Sequence, residues 1–302
     1  MASAPDPSRS YLICATPRSG STLLCEALKA TGMAGVPEEY FEALRHSGRP
    51  RRPQEYFIGA QDRTILRHLG EHTSTDGRPG RSPLWDRHDY EPFLRWAIGQ
   101  GTTLNGVFGA KLMWGYFGDF VSLLREIPSY RELPIRELLP AAFPELRYIR
   151  VVRANKVRQA VSLWKAVQTA TWREEEAGFS DQPEVGDAAD PDASDGHGPR
   201  LKFHFHAIEH LLDQILAHEA CWDAYFEHCE IRPLVVVYED FVDSYEETTR
   251  GALRYIGVDA PESVRFDRRM QQQTDDINRR WARRFSELKL NTDPDLATAE
   301  IL

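Results

Sequence analysis

The chain has 302 residues, of which 41% are hydrophobic and 27% charged, and a formal net charge of −9. That length can bury a large core, and the composition is that of a soluble globular protein, not a disordered one. The acidic balance argues against a general nucleic-acid binder but is compatible with a local basic pocket for a small anion. No apolar run approaches the roughly 18 residues of a membrane span, and the start, Met-Ala-Ser-Ala-Pro-Asp-Pro-Ser, lacks the charged-then-apolar pattern of a secretory signal. Cys14, Cys25, Cys221 and Cys229 are scattered with no Cys-x-x-Cys pair, so they read as buried free thiols in a reducing compartment, without zinc. The expected location is the cytoplasm.

In chain order, residues 1–9 read as a disordered N-terminus. Tyr11 to Ala15 is a short apolar run of the kind a buried parallel strand shows. Thr16-Pro17-Arg18-Ser19-Gly20-Ser21-Thr22 breaks it with turn residues and one cation. Leu23, Leu24, Ala27 and Leu28 then mark a helical face, ending near Thr31-Gly32. Strand, small-residue turn and helix together aim backbone N–H groups and the positive end of the helix dipole at an anion. The stretch lacks the Lys of a Walker A loop. Its form, Arg-Ser-Gly-Ser-Thr, resembles the 5′-phosphosulfate loop of sulfotransferases; an ordinary Ser-capped helix after a strand is the competing reading.

Val36-Pro37-Glu38-Glu39-Tyr40-Phe41 follows directly. Arg45–Pro53 and Glu71–Pro83 read as surface loops, and Asp89–Ile98 as a short helix with Phe93, Trp96 and Ala97 on one side. Gly106 to Trp114 reads as a second core strand running into a loop, with Lys111 near its end. Ligands of open parallel sheets sit outside the carboxyl ends of the strands, so Lys111 is either a site residue or a solvated charge. Leu146–Val152 is a third strand, carrying Arg150 and followed by Arg153. The helix after it shows Val157, Ala160, Val161, Trp164 and Val167 on one face and places Ser162 near its second turn.

Residues 174–199 are acidic, rich in Gly and Pro and poor in apolar residues, so a mobile insertion is expected there, as a lid or a plain loop. His204–Glu230 reads as a long helix with Ile208, Leu211, Leu212, Ile215, Trp222 and Phe226 inside. His204, His206 and His210 are poorly spaced for a metal on one helix. Leu234–Tyr238 is the clearest strand, and Ser244-x-x-Glu247 forms a capping box for a helix that stops at Gly257. Strands alternating with helices specify an α/β fold with a central, mostly parallel sheet flanked by helices. A single domain over 10–290 and a tail over 291–302 is the simplest organisation.

The chain resembles the bacterial sulfotransferase family typified by the trehalose 2-sulfotransferase of mycobacteria. The resemblance runs from about Ser10 to about Phe285 and rests on blocks that match in order. They are the strand and loop from Tyr11 to Leu24; Pro37 to Phe41; Asn105-Gly106-Val107 with Lys111 to Trp114; Arg153 with Gln159 to Trp164; Val167-Gln168-Thr169; and Gln273 with Trp281 and Arg284. It implies a P-loop-like sulfotransferase fold and transfer of a sulfuryl group from 3′-phosphoadenosine 5′-phosphosulfate (PAPS) to a hydroxyl of a small molecule, releasing 3′,5′-adenosine bisphosphate (PAP) without a metal. By its terms Arg18 and the amides of Ser19, Gly20, Ser21 and Thr22 hold the 5′-phosphate, and Arg153 and Ser162 the 3′-phosphate. Trp281 belongs to the nucleotide-side lid, or is a core aromatic on a last helix.

Within the same resemblance Glu39 aligns with the proposed catalytic base, selected over the adjacent Glu38 by Pro37 and Phe41, and Lys111 is a candidate for stabilising the transferring sulfonate. Homodimers occur in the family. Where the trehalose enzyme has an acid before the Pro, this chain has Val36, and Asn155 stands where an Asp commonly follows the clamp arginine. These departures leave the donor site intact and open the acceptor to sugars, glycolipids or secondary metabolites. Two other classes compete: a P-loop kinase or NTPase, which predicts magnesium-dependent ATP binding, and a non-catalytic nucleotide-binding protein of the same fold, which predicts that Glu39 is dispensable.

Overall fold

The computed structural model describes residues 6–69, 84–169, 201–261, 266 and 276–292. The acidic insertion, the expected loop over Glu71–Pro83 and Gln273 lie outside them. The chain divides into two compact units, the first drawn from residues 1–51, 79–154 and 217–272, the second from 52–78, 155–216 and 273–302.

The first unit is built on four parallel strands, β1 (Arg9–Ala15), β2 (Val107–Met113), β3 (Leu146–Val152) and β4 (Leu234–Val237), in the order β2-β1-β3-β4. Strand β1 lies at the centre, with Ile13 opposite Lys111 on one side and Ile149 on the other. Burial is continuous from Ser10 along β1 and along all of β2, as for strands whose two faces are both covered. Helices α1 (Ser21–Ala30), α2 (Glu91–Gly101), α3 (Trp114–Leu124) and α4 (Ile135–Ala142) belong to this unit. Trp222, Tyr225 and Phe226 pack against Phe117 and Tyr148, so the residues of α6 (Phe205–His228) that belong to this unit share a layer with α3. Helices α7 (Tyr238–Asp243) and α8 (Tyr245–Ile256) complete it.

The second unit has its own apolar core, formed by Trp164 and its neighbours on α5 (Lys156–Thr169), by Ala207, Ile208, Leu211 and Ile215 of α6, and by Trp281 and Phe285 of α9 (Asp276–Thr292). Two of its described histidines serve local structure: the His210 ring meets the Tyr56 carbonyl at 3.1 Å, and His204 meets the Thr64 hydroxyl at 3.2 Å. Among the described residues no helix is long and apolar enough to cross a membrane.

Several local expectations change. The residues after Met113 form α3, not a loop; Tyr116, Phe117, Phe120, Leu123 and Leu124 give it a buried helical face. The box at Ser244 does not form. The Ser244 N–H is already bonded to the Asp240 carbonyl at the end of α7, and its side chain caps nothing. Tyr238 opens α7 instead of ending β4. Trp96 is partly exposed, with its ring against Tyr40 and Phe93. Cys14 and Cys25 are buried free thiols, but Cys221 and Cys229 are only half-buried.

One close approach of backbone to backbone sets the path of the segment that carries Glu38 and Glu39. Gly35 has a φ of +71°, and a Cβ there would sit 2.7 Å from the Gly109 amide nitrogen and 2.9 Å from the Gly101 carbonyl oxygen. This lets the Val36 N–H donate to Gly101 at 2.9 Å and the next residues run along β2, where the Lys111 N–H donates to the Glu38 carbonyl at 2.9 Å. Gly35→Ala should cost about 1–3 kcal/mol, from the positive φ and from backbone atoms that cannot yield. A lowered denaturation midpoint with unchanged m-value checks it.

Candidate active site

The order β2-β1-β3-β4 reverses direction between β1 and β3, and ligands of open parallel sheets bind at that switch point, outside the carboxyl ends of the strands. The small-residue turn occupies this place. Its residue before α1 is Gly20, in the left-handed region with φ 90°, and no side chain caps the helix, so the Ser-capped alternative does not apply. No acidic residue lies in the first turn of α1. The amides opening that helix precede any intrahelical acceptor and carry the positive end of its dipole.

Ser19 is fully buried, and its Oγ has no hydrogen-bond partner among the described residues. A buried, unsatisfied hydroxyl costs about 1–3 kcal/mol, and an anion accepting from it would relieve that cost. A Cβ on Gly20 would lie 2.2 Å from the Tyr238 ring, so only glycine lets the backbone sit this close. The turn therefore fits a phosphate.

Arg153, just beyond β3, closes the cradle from the other side. Its Nη1 donates to the Arg18 carbonyl at 3.3 Å, and its guanidinium stands 4.9 Å over the Tyr238 ring. The Glu239 carboxylate approaches Arg153 at 4.0 Å and accepts the Ala154 N–H at 2.8 Å. Arg18 itself is half-exposed with φ 62°. Residues of α6 fix the start of the turn: Trp222 Nε1 donates to the Ala15 carbonyl at 2.9 Å, and the Thr16 hydroxyl donates to Glu219 at 3.4 Å.

Beside the turn lies a charged pair. Strand alternation turns Lys111 towards α1, where it is only 5% exposed. Its Nζ donates to Glu39 Oε1 at 2.7 Å and to Thr22 Oγ1 at 3.2 Å. Burial works to lower the Lys111 pKa, but the carboxylate of Glu39 outweighs it and holds the ammonium above its ordinary value. The adjacent Glu38 goes elsewhere, to Lys29 of α1 at 2.5 Å. Two neighbouring carboxylates are thus separated by their lysines, and Glu39 is the one tied to the phosphate turn.

The structure brings Arg18, Ser19, Gly20, Ser21, Thr22, Glu39, Lys111 and Arg153 into one unit. Ser162 and Trp281 stand in the other, Ser162 on α5 and Trp281 buried on α9 with its ring edge-on to Phe203 at 5.9 Å. Sequence reasoning missed Tyr116, Glu219, Trp222, Tyr238 and Glu239 as neighbours of the site. For Tyr238 the available signal was its place at the carboxyl end of a strand; Glu219 and Trp222 lie mid-helix and carry none. Among the described residues no cluster of His, Cys, Asp and Glu could hold a metal.

A parallel α/β sheet with a small-residue turn at its switch point, and an acid–lysine pair beside it, fits a transferase that handles an anionic group. A family model described as Stf0 sulphotransferase matches residues 10–287, and the chain belongs to that family of sulfotransferases. It is 33% identical to the trehalose 2-sulfotransferase of Mycolicibacterium smegmatis over 91% of this chain and 93% of that one. It is 31% identical to the trehalose 2-sulfotransferase of Mycobacterium tuberculosis over 92% of this chain and 94% of the relative. A crystal structure of a sulfotransferase from Alicyclobacillus acidocaldarius, 13% identical, aligns over 94% of this chain and 93% of its own with a TM-score of 0.44.

The Lys111 pair has a pH signature. The folded state holds the Lys111 proton more tightly than the unfolded chain, where lysine titrates near about 10.4. The stabilisation is complete below that pH and is lost as pH rises through the higher folded value. Lys111→Met should therefore flatten the fall of Tm above about pH 10 relative to wild type, as read by thermal denaturation across that range.

Proposed function

We propose that this sulfotransferase moves a sulfuryl group from PAPS to a hydroxyl of a small acceptor, with Glu39 as general base. The observation that carries the reading is the Lys111 ammonium, which ties the Glu39 carboxylate to Thr22 in the first turn of α1 and so sets base and phosphate turn side by side. PAPS supplies an activated sulfur–oxygen bond whose cleavage leaves charge on a phosphate oxygen. Arg18, the Ser19 hydroxyl and the amides from Gly20 to Thr22 hold that phosphate; stabilising it needs no metal, since fixed donors and charge suffice. Arg153 takes the 3′-phosphate, as the family resemblance implies, and Ser162 and Trp281 keep the donor-side roles that the same resemblance gives them.

Glu39 accepts the proton of the acceptor hydroxyl as its oxygen attacks sulfur. Lys111 holds the carboxylate through Oε1 and offers positive charge to the sulfonate as it transfers. The acceptor is a sugar, a glycolipid or a secondary-metabolite alcohol. The relatives are trehalose 2-sulfotransferases, and Val36, where the family resemblance implies an acid, favours a less polar contact with the acceptor here.

The test is calorimetric titration with PAP and with ATP, both in EDTA, on wild type and on Arg153→Ala. PAP should bind tightly without metal and lose about 10- to 100-fold in affinity on the Arg153 change, the worth of a charge-assisted hydrogen-bonded pair. Equal binding of PAP and ATP, or binding that requires magnesium, would return the kinase reading.

A further inference from the structure

Glu39 can act as a base only if its carboxylate is held in one orientation and can change charge without leaving a neighbour unsatisfied. Lys111 secures Oε1. On the other oxygen lies Tyr116, in the first turn of α3, with a buried ring and a hydroxyl 3.4 Å from Glu39 Oε2 and 3.2 Å from the Lys111 carbonyl. A phenol has one hydrogen, so it serves one of these acceptors at a time or shares it poorly. The contacts close a ring: Lys111 Nζ to Glu39, Glu39 to Tyr116, Tyr116 to the carbonyl of Lys111.

Resting on the base reading above, we propose that Tyr116 is the positioning residue of Glu39, a hydroxyl that donates to the carboxylate while it is charged and turns to the Lys111 carbonyl once it is protonated. The second acceptor is what makes the device workable. A donor fixed on Glu39 alone would oppose its protonation throughout, whereas this one has an alternative partner within reach when the carboxyl becomes neutral.

Tyr116 exchanges no proton itself. Burial first, and then the charges of Glu39 and Glu42, push its pKa well above the ordinary phenol value. The groups facing the pair are Lys111 from β2, Tyr116 from α3, Cys25 from α1, and Glu42 from the segment carrying Glu39.

The experiment needs no acceptor identity, because water can stand in for it. In PAPS hydrolysis the water oxygen attacks sulfur, its proton passes to Glu39, and the bond from sulfur to the phosphate oxygen breaks with the electron pair on that oxygen, giving PAP and sulfate. Release of labelled sulfate from PAPS is followed across pH for wild type, Tyr116→Phe and Glu39→Gln. PAP affinity and Tm are measured in parallel.

Tyr116→Phe should lower the rate on the order of tenfold, the worth of one hydrogen bond to a charged group. It should leave PAP affinity within about twofold and move the acid limb of the rate profile to higher pH, because a donor to the charged form has been lost. Replacing Tyr116 with 3-fluorotyrosine, a stronger donor that keeps the ring and hydroxyl, should move that limb to lower pH, and it carries the test if the phenylalanine variant does not fold.

An acid limb unmoved in both variants, with Glu39→Gln inactive, overturns the role of Tyr116 alone. Glu39→Gln turning over like wild type overturns the base reading and the Tyr116 role with it.

Discussion

A buried ammonium is the constraint on which the site depends. Lys111 faces inward because residues on β2 alternate and its register beside Ile13 leaves it no other side. Removing such a charge from water costs several kcal/mol unless a counter-charge meets it. The segment from Gly35 to Phe41 supplies one by lying against β2 closely enough for Glu39 to reach the amine. The same amine reaches Thr22, so the demand for neutralisation also fixes the distance between the acid and the phosphate turn. Stability and the arrangement proposed for catalysis are met by one contact, and neither can be altered without the other.

The turn is held by a second set of contacts that share no atom with the first. The indole of Trp222 takes the last carbonyl of β1, Glu219 takes the hydroxyl of Thr16, and Arg153 takes the carbonyl of Arg18. Helix α6 and the residue just beyond β3, both distant in sequence, therefore restrain a stretch of a few residues that has little side-chain bulk of its own. Rigid placement of backbone donors is what gives such a turn its affinity for an anion, since no reorganisation is needed when charge arrives.

Much of this was legible in the sequence, for reasons that can be named. The strand–turn–helix of Tyr11 to Leu28 is local, and its apolar period and turn residues specify it without help from the rest of the chain. The strand at Leu234 was visible as a continuous apolar run, and those at Val107 and Leu146 as largely apolar runs broken by Lys111 and by Arg147 and Arg150. Glu39 was separated from Glu38 only by alignment with relatives; composition and spacing treat the two alike, and the distinction is made in space by Lys29 and Lys111. Tyr116 was illegible because its contact with Glu39 joins segments 77 residues apart, whereas Tyr238 carried only the signal of its place at the carboxyl end of a strand. The box at Ser244 was legible and wrong, since a short helix ending one residue earlier had already engaged that backbone. Helix α4, with Pro140 inside it, gives too short a pattern to read.

The contact between Gly20 and Tyr238 reaches beyond binding. One aromatic ring fills the volume that any side chain at position 20 would need, and the same ring lies under the guanidinium of Arg153. The turn and the arginine beyond β3 are thereby gauged against a common spacer, which fixes the span between them. A turn with a larger residue at this point would displace the ring and shift the arginine with it.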